Sequence, residues 1–157
     1  MNNTLYFYGH KTGPYICFSN FYISKFNDNV NKYFSSEQYM MYHKALLMGD
    51  DTTAQLILNT TTSHACKKLG RKVKPWNQEL WESNRYKIVY NGLLLKFSQN
   101  EDIKNILLNT KGQTIAEASR FDKIWGIGLS VKEASSGCDW KGLNLLGNIL
   151  MDVRKKI

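Results

Sequence analysis

A carboxylate and an amine seven residues apart, Glu37 and Lys44, fall within one stretch of helical character. At roughly 100° per residue, seven positions bring both to one helix face, two turns apart, so an acid and a base share a surface. Tyr39, Met40 and Met41 lie between them and imply that this surface is partly buried. Such a pair can hold positive charge, move protons or supply a nucleophile. It is also ordinary helix electrostatics, an acid in the first turn and a base further on.

Two further segments carry chemistry. Glu117-Ala-Ser-Arg-Phe-Asp-Lys-Ile-Trp-Gly-Ile-Gly packs two carboxylates, a tryptophan and two glycines into twelve residues, which suits a loop shaped around a ligand. Gly126 and Gly128 permit close backbone approach, and Trp125 offers an indole face to a base or, equally, to a core. Gly70-Arg71-Lys72 follows a helix ending at Leu69, where Arg71 can grip a phosphate through two N–H groups or be a solvated arginine.

The elements that must position these residues can be read from periodicity. The first third is rich in aromatics, Gly, Asn and Pro and reads as short strands and turns in a small irregular sheet. Ser35 or Ser36 then caps a helix running to about Met48. Trp81, Ile88, Val89, Leu93 and Phe97 place a central core helix over Asn77 to Phe97. A shorter helix is expected over Glu101 to Leu108, with Ile103, Ile106 and Leu107 inward. The last spans Leu143 to Lys155, with Leu146, Ile149, Leu150 and Val153 on one face and Arg154, Lys155 and Lys156 at its C-terminal end. The expected class is mainly α (α+β), a compact helical fold with a small β element near the N-terminus.

At 157 residues the chain fits one domain, residues 1–157, with neither repeat nor linker. A net charge of +8 favours phosphate-bearing partners, although the lysines are scattered rather than blocked. Cys17, Cys66 and Cys138 are odd in number and far apart, which suits a reducing, cytoplasmic setting and no disulfide framework. His10, His43 and His64 stand alone, so metal-ligand spacing is missing. No apolar run is long enough for a membrane span, and the N-terminus does not read as a secretory signal.

In order and spacing, five motifs resemble the YbiA/NADAR family from about Phe7 to Arg154. They are Phe18-Ser-Asn-Phe21; Ser36-Glu-Gln-Tyr39 followed by Lys44; Gly70-Arg71 with Trp81 beyond; Glu117 and Asp122 before Trp125-Gly126; and Asn144-Leu-Leu-Gly147 leading to Arg154. The chain departs from the family pattern at Ile127 and Leu145, which bears on the substrate rather than the fold. The resemblance implies hydrolysis of an N-glycosidic bond without a cofactor or a metal. Its implied substrates carry a ribose phosphate or ADP-ribose on a base nitrogen: phosphoribosyl-amino-pyrimidine intermediates of riboflavin synthesis, or ADP-ribosyl-guanine on nucleic acid. It implies Glu37, Lys44 and Asp122 as catalytic residues, and Phe7, Asn20, Arg71, Trp81, Glu117, Trp125 and Gly126 as substrate contacts.

Cleaving a ribose–nitrogen bond builds positive charge on the sugar, which an anion beside the anomeric carbon stabilises. Glu37 is the first choice for that anion or for a base that activates water, and Asp122 for the complementary acid or a ribose contact. Lys44 has two open roles. It can capture the ring-opened sugar as a Schiff base, which requires a neutral amine, or it can contact phosphate. A nearby Glu37 anion would favour the ammonium unless burial outweighs it. Trp81 and Trp125 can stack on the base. A non-catalytic ADP-ribose module, or a basic nucleic-acid binder, would use the same aromatics and cations without turnover.

Overall fold

The structure, a computed structural model, describes residues 3–157. Its strands are β1 (Thr4–Phe7), β2 (Phe26–Asn27), β3 (Lys32–Tyr33) and β4 (Thr114–Glu117). Its helices are α1 (Ser36–Leu47), α2 (Asp51–Leu58), α3 (Ser63–Gly70), α4 (Gln78–Ser98), α5 (Glu101–Leu108), α6 (Val131–Ser135) and α7 (Leu145–Lys156). The class is mainly α, as the periodicity predicts. The chain forms two compact units, one from Asn20 to Asn100 and one from the segments up to Ser19 and from Glu101 onward.

In the Asn20–Asn100 unit, polar residues set the helix starts. Side chains of Ser35, Asp50, Thr62 and Asn77 accept hydrogen bonds from the backbone N–H groups of Gln38, Thr53, Ala65 and Leu80. Each cap satisfies an otherwise orphaned donor and contributes about 1 kcal/mol. Helix α1 packs against α2, α3 and α4, and every residue from Ser36 to Tyr42 is buried. It is thus buried on almost all sides near its start, not amphipathic.

Two glycines let its neighbours approach. A Cβ at Gly70 of α3 would overlap the Met41 sulfur, and one at Gly92 of α4 would stand 2.5 Å from Cδ1 of Tyr39. Tyr39 itself is held by the rings of Phe26, Tyr33 and His43. The short antiparallel β2–β3 pair, with Phe26 opposite Tyr33, supplies part of that cluster.

In the other unit β1 lies parallel to β4, with Phe7 opposite Glu117. The sequence reading places β structure only near the N-terminus and leaves 114–117 outside any element. Thr-Ile-Ala-Glu is too short for an alternation signal, and its pairing with β1 bridges more than 100 residues, which no local pattern reveals. Asn144, buried with a left-handed φ of 52°, accepts from Glu117 N and donates to Ile115 O, joining the start of α7 to β4. Gly147 continues this contact, since a Cβ there would overlap Ile115 O. Arg154, in the last turn of α7 as the sequence predicts, also donates through Nη1 to the carbonyls of Thr110 and Gln113 and ties down that loop. No helix among the described residues is long and apolar enough to cross a membrane.

Candidate active site

Glu37 sits in the first turn of α1, only 4 % exposed. Its backbone N–H donates to Asn20 O at 2.9 Å. Asn20, also buried, accepts from the Ser36 hydroxyl through Oδ1 at 2.9 Å. The Phe18-Ser-Asn-Phe21 and Ser36-Glu-Gln-Tyr39 motifs therefore meet at residues 20, 36 and 37. First-turn N–H groups and the helix dipole favour a carboxylate there.

Lys44 lies two turns on, half-buried. Its Nζ stands 4.9 Å from the centre of the Trp76 ring and 5.5 Å from that of Trp81, and the two indoles lie 6.3 Å apart at 52°. The amine thus occupies an aromatic corner, and it belongs to no close ion pair among the described residues. Burial pushes its pKa below the ordinary lysine value; the Glu37 charge works in the opposite direction, and the Arg71 guanidinium reinforces the lowering. The competition between burial and the Glu37 anion is therefore won by burial. Arg71, which closes α3, is near enough to act on this amine. Burial pushes the Cys66 thiol up, a hydrogen bond with Thr60 opposes this, and the Glu37 charge adds to the rise. One α1 face thus presents a buried carboxylate and an amine whose pKa burial lowers, with a guanidinium close by.

The remaining candidates lie in the other unit. Phe7 and Glu117 are opposite one another across the β1–β4 pair, and Glu117 O accepts from Ile127 N at 2.9 Å. Asp122 Oδ1 accepts from the backbone N–H groups of Ile124 and Trp125 at 3.0 and 2.9 Å, so one carboxylate oxygen shapes the turn. A Cβ on Gly126 would come within 2.9 Å of the carbonyl oxygens of both Asp122 and Glu117, which accounts for glycine there. Trp125 is half-buried. Ile127 is fully buried in a core cluster with Ala116, Ala118 and Leu129, so this departure changes packing behind the loop rather than a ligand-facing side chain.

A family model described as the NADAR domain matches residues 6–157. The chain belongs to the NADAR domain family. The NADAR chain is 41% identical to an N-glycosidase of Acanthamoeba polyphaga mimivirus over 97% of its own length and 95% of the relative's. It superposes on the solution NMR structure of the E. coli protein YbiA with a TM-score of 0.81 at 26% identity, covering 99% of this chain and 86% of that one. A maize chloroplastic riboflavin biosynthesis protein, PYRR, is 36% identical over 77 residues, which is 49% of this NADAR chain and 11% of that protein.

Two residues in the Asn20–Asn100 unit escape the sequence reading. Trp76 forms one wall of the Lys44 corner although it is 43 % exposed on a loop, and an exposed aromatic outside any element leaves no periodic trace. Lys96 is fully buried. Its signal was present: it lies at i+3 from Leu93 and i+7 from Val89, on the buried face of α4. A cavity of about 420 Å³ lined in part by Lys25, Phe26, Lys32 and Tyr33 contains none of the site residues. Its glutamines are already engaged, Gln38 with Phe34 N and Ile57 O, and Gln99 with Asn27.

Proposed function

We propose that this N-glycoside hydrolase releases a phosphorylated ribose, either ribose phosphate or ADP-ribose, from a base nitrogen by way of a covalent intermediate on Lys44. The observation that carries the proposal is the Lys44 amine itself, set in the corner of Trp76 and Trp81 on the helix face of Glu37, with burial lowering its pKa from the ordinary lysine value despite the Glu37 charge. A phosphate contact would call for a solvated or hydrogen-bonded ammonium; a nucleophile calls for a free electron pair.

In the proposed sequence the glycosylamine opens to an iminium at C1′. The Nζ lone pair of Lys44 adds to that carbon, the bond from C1′ to the base nitrogen breaks, and the departing nitrogen takes a proton. Water then adds to the new C1′–Nζ iminium and the amine leaves, regenerating Lys44 and a free sugar aldehyde that closes to the ring. Glu37 carries protons between these groups and stabilises the cationic iminium states. Trp81 and Trp76 exclude water and offer faces to the base; Asn20 and Arg71 contact sugar and phosphate. From the other unit, Asp122 enters the proposal as an acid or ribose contact, and Phe7, Glu117, Trp125 and Gly126 as substrate contacts, on the family resemblance. The chain acts as one NADAR domain in this reading.

Both substrate classes share an N-linked phosphorylated ribose. The riboflavin name of the maize relative supports the phosphoribosyl-amino-pyrimidine class, and the family resemblance of the sequence motifs supports ADP-ribose, including its removal from guanine in nucleic acid. Parallel incubation with a phosphoribosyl-amino-pyrimidine and with ADP-ribosyl-guanine DNA, followed by mass spectrometry, tests the reading. Release of free base and sugar from one of them is expected. Tight binding of both with no release would leave a binding module instead.

A further inference from the structure

The α1–α4 seam holds a feature that the catalytic proposal does not use. Lys96 is wholly removed from solvent, and taking an ammonium out of water costs several kcal/mol unless its donors are engaged. Its Nζ lies 3.5 Å from the Ser36 hydroxyl oxygen and 5.3 and 5.7 Å from the ring centres of Phe97 and Tyr22, surroundings that suit a cation. Ser36 stands immediately before Glu37 and its hydroxyl lies 2.9 Å from Asn20 Oδ1 and 3.4 Å from Asn20 O.

The order of donors along this chain is fixed at one end. An ammonium has three N–H donors and no acceptor, so toward Lys96 the Ser36 oxygen can only accept. Its single proton is then directed to Asn20. Asn20 Oδ1 at 2.9 Å lies nearer that hydroxyl than Asn20 O at 3.4 Å, so the shorter contact turns the amide carbonyl to Ser36 and leaves Nδ2 for another partner. Without the ammonium, Ser36 could as well accept from Nδ2, and the amide could turn over.

We propose that Lys96 is a positioning residue: through Ser36 it fixes the amide orientation of Asn20, so that Nδ2–H rather than the carbonyl oxygen is presented to the sugar or phosphate oxygens of the ligand. Phosphate oxygens only accept, so the wrong orientation would set acceptor against acceptor there, whereas a ribose hydroxyl can pair with either end. The register of the seam supports this. Gly92 and Lys96 are one turn apart on α4, as are Tyr39 and Ser36 on α1, and the close approach at Gly92–Tyr39 lets the lysine reach the hydroxyl. The inference rests on the reading of Asn20 as a ligand contact.

The test uses the full chain with ADP-ribose and ribose 5-phosphate as calorimetric probes, and two-dimensional NMR of the Asn20 side-chain amide without ligand. Ser36→Ala and Lys96→Met are each expected to weaken binding of the better probe roughly 3- to 10-fold, the worth of one hydrogen bond. Asn20→Ala should do the same, and Ser36→Ala should add nothing on the Asn20→Ala background. The Asn20 amide resonances should shift or broaden in both Ser36→Ala and Lys96→Met. Ser36→Ala keeps the buried amine in place and carries the test if Lys96→Met does not fold. If Asn20→Ala weakens binding while Ser36→Ala leaves both affinity and the Asn20 amide signals unchanged, positioning is overturned and the ligand contact stands. If Asn20→Ala binds like the wild type, the contact itself is wrong and the inference falls with it. If the wild type binds neither probe, the substrate class is at fault; unchanged amide signals in Ser36→Ala would then overturn the positioning separately.

Discussion

Gly92→Ala sets two effects of opposite sign against each other. Alanine in a helix interior is favoured over glycine by about 1 kcal/mol, so helix propensity alone predicts stabilisation. The new methyl, however, would meet Cδ1, Cε1 and Cγ of Tyr39 at 2.5, 3.0 and 3.1 Å. Tyr39 is 6 % exposed and enclosed by Phe26, Tyr33 and His43, so its ring cannot swing aside and α1 must move instead. Overpacking of this kind costs about 1–3 kcal/mol. The net is destabilisation by up to about 2 kcal/mol, hence a Tm lower by up to roughly 8 °C for a chain of this size. Because α1 carries Glu37 and Lys44, a displacement approaching 1 Å would also lower kcat/KM by up to about 100-fold. Thermal unfolding followed by circular dichroism, with turnover of the better substrate alongside, measures both. A rise in Tm with unchanged turnover would refute the close α1–α4 seam.

Three other outcomes follow from the same geometry. Glu37→Gln should lower turnover by about 10²–10⁴-fold, the range for a lost general base or charge stabiliser, while calorimetry shows ADP-ribose still bound; turnover within tenfold of wild type would remove Glu37 from the mechanism. Covalent capture by Lys44 needs the neutral amine, so it should rise with pH through a midpoint below the ordinary lysine value. Arg71→Met removes a like charge, which favours the ammonium, so this midpoint should move upward, whereas Glu37→Gln should move it downward; borohydride trapping across a pH series reads both signs. Trp76→Ala removes a stacking face generally worth about 1–3 kcal/mol per base and should weaken binding of a base-bearing probe such as ADP-ribose about 5- to 100-fold while changing ribose 5-phosphate binding little.

Much of this scaffold was legible because its signals are local. Ser35 and Asn77 are capping residues followed by helical periodicity, and helices begin at both; the Glu101–Leu108 helix is bounded as the apolar spacing predicts. The seven-residue interval between Glu37 and Lys44 needs only helix geometry to be read. What escaped is long-range. The β1–β4 pairing, the Asn144 bridge to β4 and the seating of Lys96 against Ser36 each join residues whose neighbours in sequence do not announce the contact. Among 21 Lys and Arg residues, one on the buried face of a helix is inconspicuous. Ile127 shows the converse, since a departure within a functional motif proves to be core packing.

The most direct measurement is borohydride reduction of the wild-type enzyme during turnover, with peptide mapping by mass spectrometry. The account predicts one modified peptide, carrying the sugar phosphate or ADP-ribose mass on Lys44, and its loss in Lys44→Ala together with turnover. Undiminished turnover in Lys44→Ala, or an adduct mapped to another residue, would contradict it.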